Sequence, residues 1–214
     1  MEPGVRDKNP IARVAAPKVP ERVLEPVNPD HLKAMLATCE RRTRLGDRDR
    51  ALMLFMLDSG CRKAELLSLR ISDVDRSNGT VTVWHGKGDK PRMTFVGPKT
   101  LKAVIAYLRH RTDARDSDPL WLDERGRRLS YWALRGMLAR RAKRAGVPVP
   151  TPHQFRRGFA IAALRNGCDL ITLQRLMGHS DLTVLRRYLA QTEADLSSAH
   201  RQVSPVESLL DCRR

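Results

Sequence analysis

The sequence predicts a mainly helical domain with one small antiparallel β-sheet, an α+β class. Apolar residues recur at helical spacing through most of residues 28–200, and the period approaches two only within residues 71–97. Of the 214 residues, 41% are hydrophobic, which is enough for a sizeable core. The length corresponds to one large domain, or to one domain with an arm.

The first 27 residues predict an arm or linker, because prolines interrupt any helix there and no apolar period appears. These prolines are Pro3, Pro10, Pro17, Pro20 and Pro26. Helical spacing begins after Asn28, whose side chain can cap a helix. We therefore expect an arm over residues 1–27, one domain over residues 28–200 and a tail over residues 201–214.

Two further helices are predicted before the sheet. One runs from about Asp47 through Leu57 and stops at Gly60, and the next starts near Arg62. The sheet follows from turn signals at 78–79 and 86–90, which bound alternating runs at 80–84 and 92–96.

After the sheet, helical spacing predicts six more helices. They span about residues 98–111, 131–145, 152–166, 170–177, 182–191 and 193–202. Gly146, Gly167 and Gly178 stand at the ends of these helices or between them.

Charge is the outlier of the composition. The 40 Lys and Arg residues exceed the 24 Asp and Glu residues by 16, and the pI is about 10.6. This excess predicts a polyanionic partner, and we expect nucleic acid. An anionic membrane surface and ribosome-like RNA binding are the competing interpretations. The longest uncharged apolar run, residues 51–57, is far too short to span a membrane, and four scattered cysteines favour a reducing cytoplasm.

Several familiar catalytic motifs are absent from the sequence. It contains no phosphate-binding P-loop, no zinc-protease H-E-x-x-H and no G-x-S-x-G. Asp73-Val74-Asp75 could bind a cation, but two carboxylates before an Asn-Gly turn are more often turn formers. We therefore expect no metal at this pair.

Four segments carry groups that can act on a phosphate. His153 and Arg156 are three residues apart on one predicted helix face, where a guanidinium fork and an imidazole could hold a phosphate and move a proton. His179 stands before the predicted helix that contains Tyr188. The alternatives are a solvated first turn for His153 and Arg156, and a semi-buried core residue for Tyr188.

The other two segments lie earlier in the chain. Arg62 would open a helix with Glu65 one turn on, and Lys87 stands at the tip of the second β-turn. The alternatives are an ordinary surface Arg–Glu pair and a solvated lysine in a turn.

Together and in this order, these segments resemble the tyrosine recombinases, the phage-integrase type of DNA breaking-and-joining enzymes. The spacings of 23 positions from Arg156 to His179 and of 9 from His179 to Tyr188 also fit the family pattern. The resemblance covers residues 28–200. The matching pieces are Gly60-Cys61-Arg62-Lys63-Ala64-Glu65-Leu66, Gly86-Lys87-Gly88-Asp89-Lys90, His153-Gln154-Phe155-Arg156, Leu176-Met177-Gly178-His179-Ser180 and Tyr188.

The resemblance implies a role for each matching residue. Tyr188 would attack the scissile phosphate and form a 3′-phosphotyrosyl link, while Arg62 and Arg156 clamp the non-bridging oxygens. Lys87 would protonate the leaving 5′ oxygen. His153 would assist proton transfer around Tyr188, and His179 would donate a hydrogen bond to the phosphate. Glu65 stands where the family has an acidic residue that orients these groups.

The resemblance also implies that the reaction needs no metal and no nucleotide cofactor, because a phosphotyrosine bond stores the energy of the broken phosphodiester. It further implies the function and the assembly. We expect a site-specific recombinase or integrase that acts on double-stranded DNA as a homotetramer on synapsed sites, with the C-terminal tail docking onto a neighbouring protomer. A tail packed within its own protomer is the alternative. The alternatives to recombinase activity are type IB topoisomerase activity and a non-catalytic DNA-binding accessory role. Family members usually carry an N-terminal core-binding domain, so the chain is either a fragment or a single-domain member.

Overall fold

The computed structural model describes residues 25–84 and 91–178. These residues form helices α1 to α7 and a two-stranded sheet, so the predicted mainly helical α+β class is confirmed. In chain order the elements are α1 (Pro29–Ala37), α2 (Arg44–Ser59), α3 (Lys63–Ser68), β1 (Thr80–Val83), β2 (Arg92–Phe95), α4 (Pro98–Leu108), α5 (Tyr131–Ala145), α6 (Pro152–Arg165) and α7 (Leu170–Met177). The predicted helices at 182–191 and 193–202 lie outside the described residues.

Local capping signals explain where most of these helices begin. The Asn28 side chain accepts hydrogen bonds from the first turn of α1, and Thr151 and Asp169 do the same for α6 and α7. Pro152 occupies the first turn of α6, where its missing N–H costs nothing.

The long helix α2 lies at the centre of the fold. It packs against α4 and α6 and also contacts β2, while α1 packs on α5 and α7 packs on α6 and β2. The core contains Trp121, which stacks on Tyr107 with ring centroids 5.8 Å apart and meets Phe55 edge-on at 5.5 Å. Trp121 belongs to the connection between α4 and α5, where the sequence predicted no element.

The sheet is a single antiparallel pair, as expected. Thr80 is paired with Phe95 and Val83 with Arg92, so residues 85–90 belong to the connection between the two strands. Thr94 ties β2 to the end of α2, because its hydroxyl donates to the Ser59 carbonyl at 2.9 Å.

The buried face of α6 differs in part from the prediction. The apolar pattern of residues 152–166 predicts that Phe155, Phe159, Ala162 and Ala163 supply much of this face. Phe155 is buried, but Ala162 is exposed, and Ala160 and Ile161 point inward to pack against α7. Phe159 and Ala163 are partly buried against the same cluster, so Ala162 is the one predicted residue that faces solvent.

Asp73 and Asp75 form local turn and capping contacts. Asp75 accepts two hydrogen bonds from Ser77, and Asp73 accepts from the Arg70 backbone and the Trp84 indole. Within residues 25–84 and 91–178, no cluster of three or more His, Cys, Asp or Glu residues could hold a metal ion. The helices of the same residues include none that is long and apolar enough to cross a membrane.

Candidate active site

The junction between α2 and α3 places the first arginine of the site. Gly60 ends α2 in a left-handed conformation with φ of 60°, and a Cβ there would collide with the Phe159 ring of α6. The chain therefore turns tightly and delivers Arg62 to the start of α3. The Arg62 side chain is 34% exposed, which leaves it accessible to a ligand.

Glu65 fixes Arg62 through both of its carboxylate oxygens. Oε1 accepts from Arg62 Nη1 at 2.9 Å, and Oε2 accepts from the Arg62 backbone N–H at 2.6 Å. The Glu65 side chain is only 2% exposed. Burial by itself raises the pKa of this carboxyl, but the Arg62 hydrogen bonds and the charge of Arg92 outweigh burial, so the pKa is lowered. Glu65 is therefore an ionised, buried anchor.

Arg156 lies one turn into α6 and is almost fully buried. Its Nη1 donates to the Gly60 carbonyl and its Nη2 donates to the Met177 carbonyl at 2.7 Å. Burial, followed by the charge of Arg62, lowers the pKa of Arg156 to about 10. The guanidinium therefore remains charged at neutral pH, and its positive charge is incompletely compensated.

Arg92, on β2, is a member of this group that the sequence analysis missed. Its Nη2 donates to Glu65 Oε2 at 2.7 Å, and its Nη1 donates to the Leu176 carbonyl at 2.5 Å. Glu65 is 27 residues away and Leu176 is 84 residues away. The strand pattern marked residues 92–96 only as a β-strand, and no local signal distinguished this arginine.

Three arginines converge on the C-terminus of α7. Arg92 binds the Leu176 carbonyl, Arg156 binds the Met177 carbonyl, and Arg62 Nη2 binds the Gly178 carbonyl at 2.7 Å. A helix C-terminus carries unpaired carbonyls and partial negative charge. The guanidiniums donate hydrogen bonds to the carbonyls and offset the charge. The arrangement places the arginines directly before position 179.

His153 lies on the first turn of α6, three residues before Arg156, and is exposed. Partial loss of solvent lowers its pKa, and the charges of Arg157, Arg156 and Lys63 lower it further. The imidazole is therefore neutral at neutral pH and can accept a proton.

The structure thus brings together Arg62, Glu65 and Arg156, and it places His153 on the same helix as Arg156. Lys87, His179 and Tyr188 lie outside the described residues, and their positions remain predictions. Cys61, next to Arg62, is 5% exposed, and burial raises the pKa of its thiol. Cys61 is consequently a poor candidate for a nucleophile.

This chain is similar to known recombinases. The model of the phage integrase family matches residues 25–195. The tyrosine recombinase XerC of Chromohalobacter salexigens is 32% identical over 205 residues, covering 94% of this chain and 68% of that protein. The tyrosine recombinase XerA of Thermococcus kodakarensis is 32% identical over 201 residues, covering 92% of this chain and 69% of that protein.

Solved structures give the same result. The crystal structure of XerA recombinase matches with a TM-score of 0.71 at 28% identity, covering 89% of this chain and 67% of that one. XerH recombinase bound to its palindromic difH substrate, in a post-cleavage complex, matches with a TM-score of 0.67 at 25% identity, covering 84% of this chain and 53% of that one. The protein is therefore a member of the phage integrase family of tyrosine recombinases.

Proposed function

We propose that Tyr188 is the nucleophile with which this site-specific DNA recombinase breaks and rejoins DNA strands, and that Arg62 and Arg156 hold the scissile phosphate. The observation that carries this assignment is that both guanidiniums bind the end of α7, with Arg62 also held by Glu65. The chain continues from this point to His179 and Tyr188.

The donors of the two arginines fit a phosphate clamp. A guanidinium has five N–H groups, and contacts within the described residues engage two on each of Arg62 and Arg156. The remaining donors can meet the non-bridging oxygens of a phosphate in bidentate fashion. Preorganised donors of this kind stabilise the extra negative charge of a pentacoordinate transition state.

The proposed cleavage step forms one bond and breaks one bond. The Tyr188 phenol oxygen attacks the phosphorus while the bond from phosphorus to the 5′ oxygen breaks. His153, neutral because of its lowered pKa, assists removal of the phenol proton, and Lys87 donates a proton to the leaving 5′ oxygen. His179 donates a hydrogen bond to the phosphate. A free phenol has a pKa of about 10, so neighbouring positive charge is needed to favour its ionised form.

Rejoining is the reverse reaction with a different strand. A 5′ hydroxyl attacks the phosphotyrosine and releases Tyr188, so the energy of the original phosphodiester is kept. We therefore propose that no metal ion or nucleotide is required.

DNA is the partner, and the net charge of +16 matches a polyanionic duplex. We propose that four copies of the chain assemble on two synapsed sites, that the tail over residues 201–214 docks onto a neighbouring protomer, and that the protein works in the cytoplasm on the nucleoid. Residues 28–200 would form the catalytic domain, preceded by the arm over residues 1–27.

A library of nicked duplexes with a randomised segment tests the chemistry. A nick near the cleavage point makes the released fragment, which carries the 5′ hydroxyl, short enough to diffuse away. Rejoining is then prevented, and the covalent protein–DNA adduct accumulates and is detected on a denaturing gel. We expect an adduct that forms equally well with excess chelator. The absence of an adduct, or an adduct that requires added magnesium, would contradict the proposal. Strand exchange between two copies of the selected site distinguishes recombination from plasmid relaxation by a topoisomerase.

A further inference from the structure

Arg92 occupies the first position of β2, and its side chain is 12% exposed. Its two terminal nitrogens contact two different parts of the site, Glu65 and the Leu176 carbonyl. Arg92 therefore lies on the protein side of the proposed phosphate clamp, where its guanidinium is paired with protein groups.

The contact with Glu65 bears directly on Arg62. Glu65 uses Oε1 for the Arg62 side chain, while Oε2 is shared between the Arg62 backbone and Arg92. A buried carboxylate that loses one of two cations rotates toward the remaining donors or takes up a proton. Either change would alter the position of the Arg62 guanidinium.

The contact with α7 bears on Arg62 from the other side. A Cβ added at Gly178 would lie 2.5 Å from Arg92 Cδ, so Arg92 packs directly against the backbone of Gly178. The carbonyl of this same glycine accepts the hydrogen bond from Arg62 Nη2. Arg92 thus touches both groups that orient Arg62.

We propose that Arg92 is a positioning residue, which holds the Arg62 guanidinium in place for the scissile phosphate by fixing Glu65 and the end of α7. This inference rests on the proposed role of Arg62 as a phosphate ligand. It requires no contact between Arg92 and DNA.

The test uses the full 214-residue chain and the duplex selected from the library above. Rates of single-turnover cleavage and DNA affinities are measured for Arg92→Lys and Arg92→Gln. We expect cleavage by Arg92→Gln to fall about 10²-fold with DNA affinity within about twofold of wild type, because a displacement of about 1 Å at a reacting centre has this effect. Arg92→Lys keeps the positive charge but loses the two-pronged guanidinium, so its cleavage rate should lie between those of wild type and Arg92→Gln.

A modified substrate separates a positioning role from a structural one. A methylphosphonate at the scissile position replaces one non-bridging oxygen with a methyl group and removes the negative charge. Cleavage of this substrate should therefore depend less on one of the two guanidiniums. We expect one of its two diastereomers to reduce the cleavage defect of Arg62→Ala. The same diastereomer should reduce the defect of Arg92→Gln at least tenfold.

Arg141→Lys is the matched control, because Arg141 is also buried and paired with a carboxylate, Asp49, and a backbone carbonyl, that of Thr38. Any cleavage defect of this variant should be the same on phosphate and on both diastereomers. If the Arg92 variants behave like Arg141→Lys, cleave like wild type, or fail to fold in thermal melts, the positioning role is wrong. If wild-type protein forms no adduct at all, the proposed function itself fails.

Discussion

Two buried carboxylates in this protein each bridge two arginines, with very different consequences. Asp49 of α2 accepts from Arg48 through Oδ1 at 2.6 Å and from Arg141 through Oδ2 at 2.8 Å. This set joins α2 to α5, and its side chains are no more than 8% exposed. Its arginines also bind the carbonyls of Thr38 and Leu122, so the cluster is closed.

The Glu65 cluster has the same plan but stays open on one side. The side chains of Arg62, Arg92 and Glu65 are 34%, 12% and 2% exposed, and Arg156 adds a third guanidinium near a single carboxylate. Ion pairs with all partners inside the protein cross-link helices, whereas an excess of positive charge with one open edge can bind an anion. Exposure and charge balance therefore distinguish the site from the scaffold.

The largest effect is expected when the proposed nucleophile, which would act beside the Glu65 cluster, is removed. Tyr188→Phe should abolish the covalent adduct while leaving folding and DNA affinity unchanged, because only the attacking oxygen is lost. Denaturing gels and binding titrations measure the two properties. Tyr131→Phe is the control, since Tyr131 lies on α5 with its ring 4.5 Å from Lys63 Nζ. An adduct formed by Tyr188→Phe but not by Tyr131→Phe would refute the assignment.

The second prediction replaces the carboxylate of each cluster with an amide. Glu65→Gln should lower the rate of cleavage by about 10²-fold, because a misplaced Arg62 approaches the loss of one preorganised donor. Asp49→Asn should instead destabilise the fold by about 3 kcal/mol, as expected when a buried pair is broken, with little change in cleavage per folded molecule. Denaturant titrations and single-turnover kinetics measure both effects. Equal cleavage defects in the two variants would remove the distinction between the clusters.

The third prediction compares two glycines that end helices in the left-handed conformation. Gly146 ends α5 with φ of 66° and has no atom within 4 Å of an added Cβ, whereas Gly178 ends α7 with φ of 61° beside Arg92. Each alanine substitution should cost about 1 kcal/mol of stability. Only Gly178→Ala should also slow cleavage, by about tenfold, because it displaces Arg92. Matching cleavage rates for the two variants would show that the contact between Arg92 and Gly178 is unimportant.

The smallest effect at neutral pH concerns protonation. The lowered pKa of His153 keeps the imidazole neutral, and the lowered pKa of Glu65 keeps its carboxylate ionised. Cleavage should therefore hold as pH falls to about 6.5, the ordinary histidine value, and decline only below it as His153 takes up a proton. His153→Gln should remove this acidic limb from the pH–rate profile of single-turnover cleavage. A limb that persists in this variant would assign the titration to another group.

Much of the fold follows from short-range signals, and for that reason it was predictable. The bounds of α5 and α7 agree with the prediction, because a capping side chain starts each helix and a glycine ends it. The core position of Trp121 was not predictable, since this segment has no period and is held by backbone pairing with residues around Leu69. Arg92 was missed for the same reason: all of its significant partners are distant in sequence.

The binding of three successive α7 carbonyls by arginines from three parts of the chain has a consequence for biosynthesis. Arg62 and Glu65 leave the ribosome more than a hundred residues before Gly178, and contacts of such separation close late in folding. A nascent or truncated chain that lacks α7 keeps its arginines but has no backbone to hold them in register. We therefore expect incomplete translation products to carry unassembled arginines in addition to lacking the proposed nucleophile Tyr188.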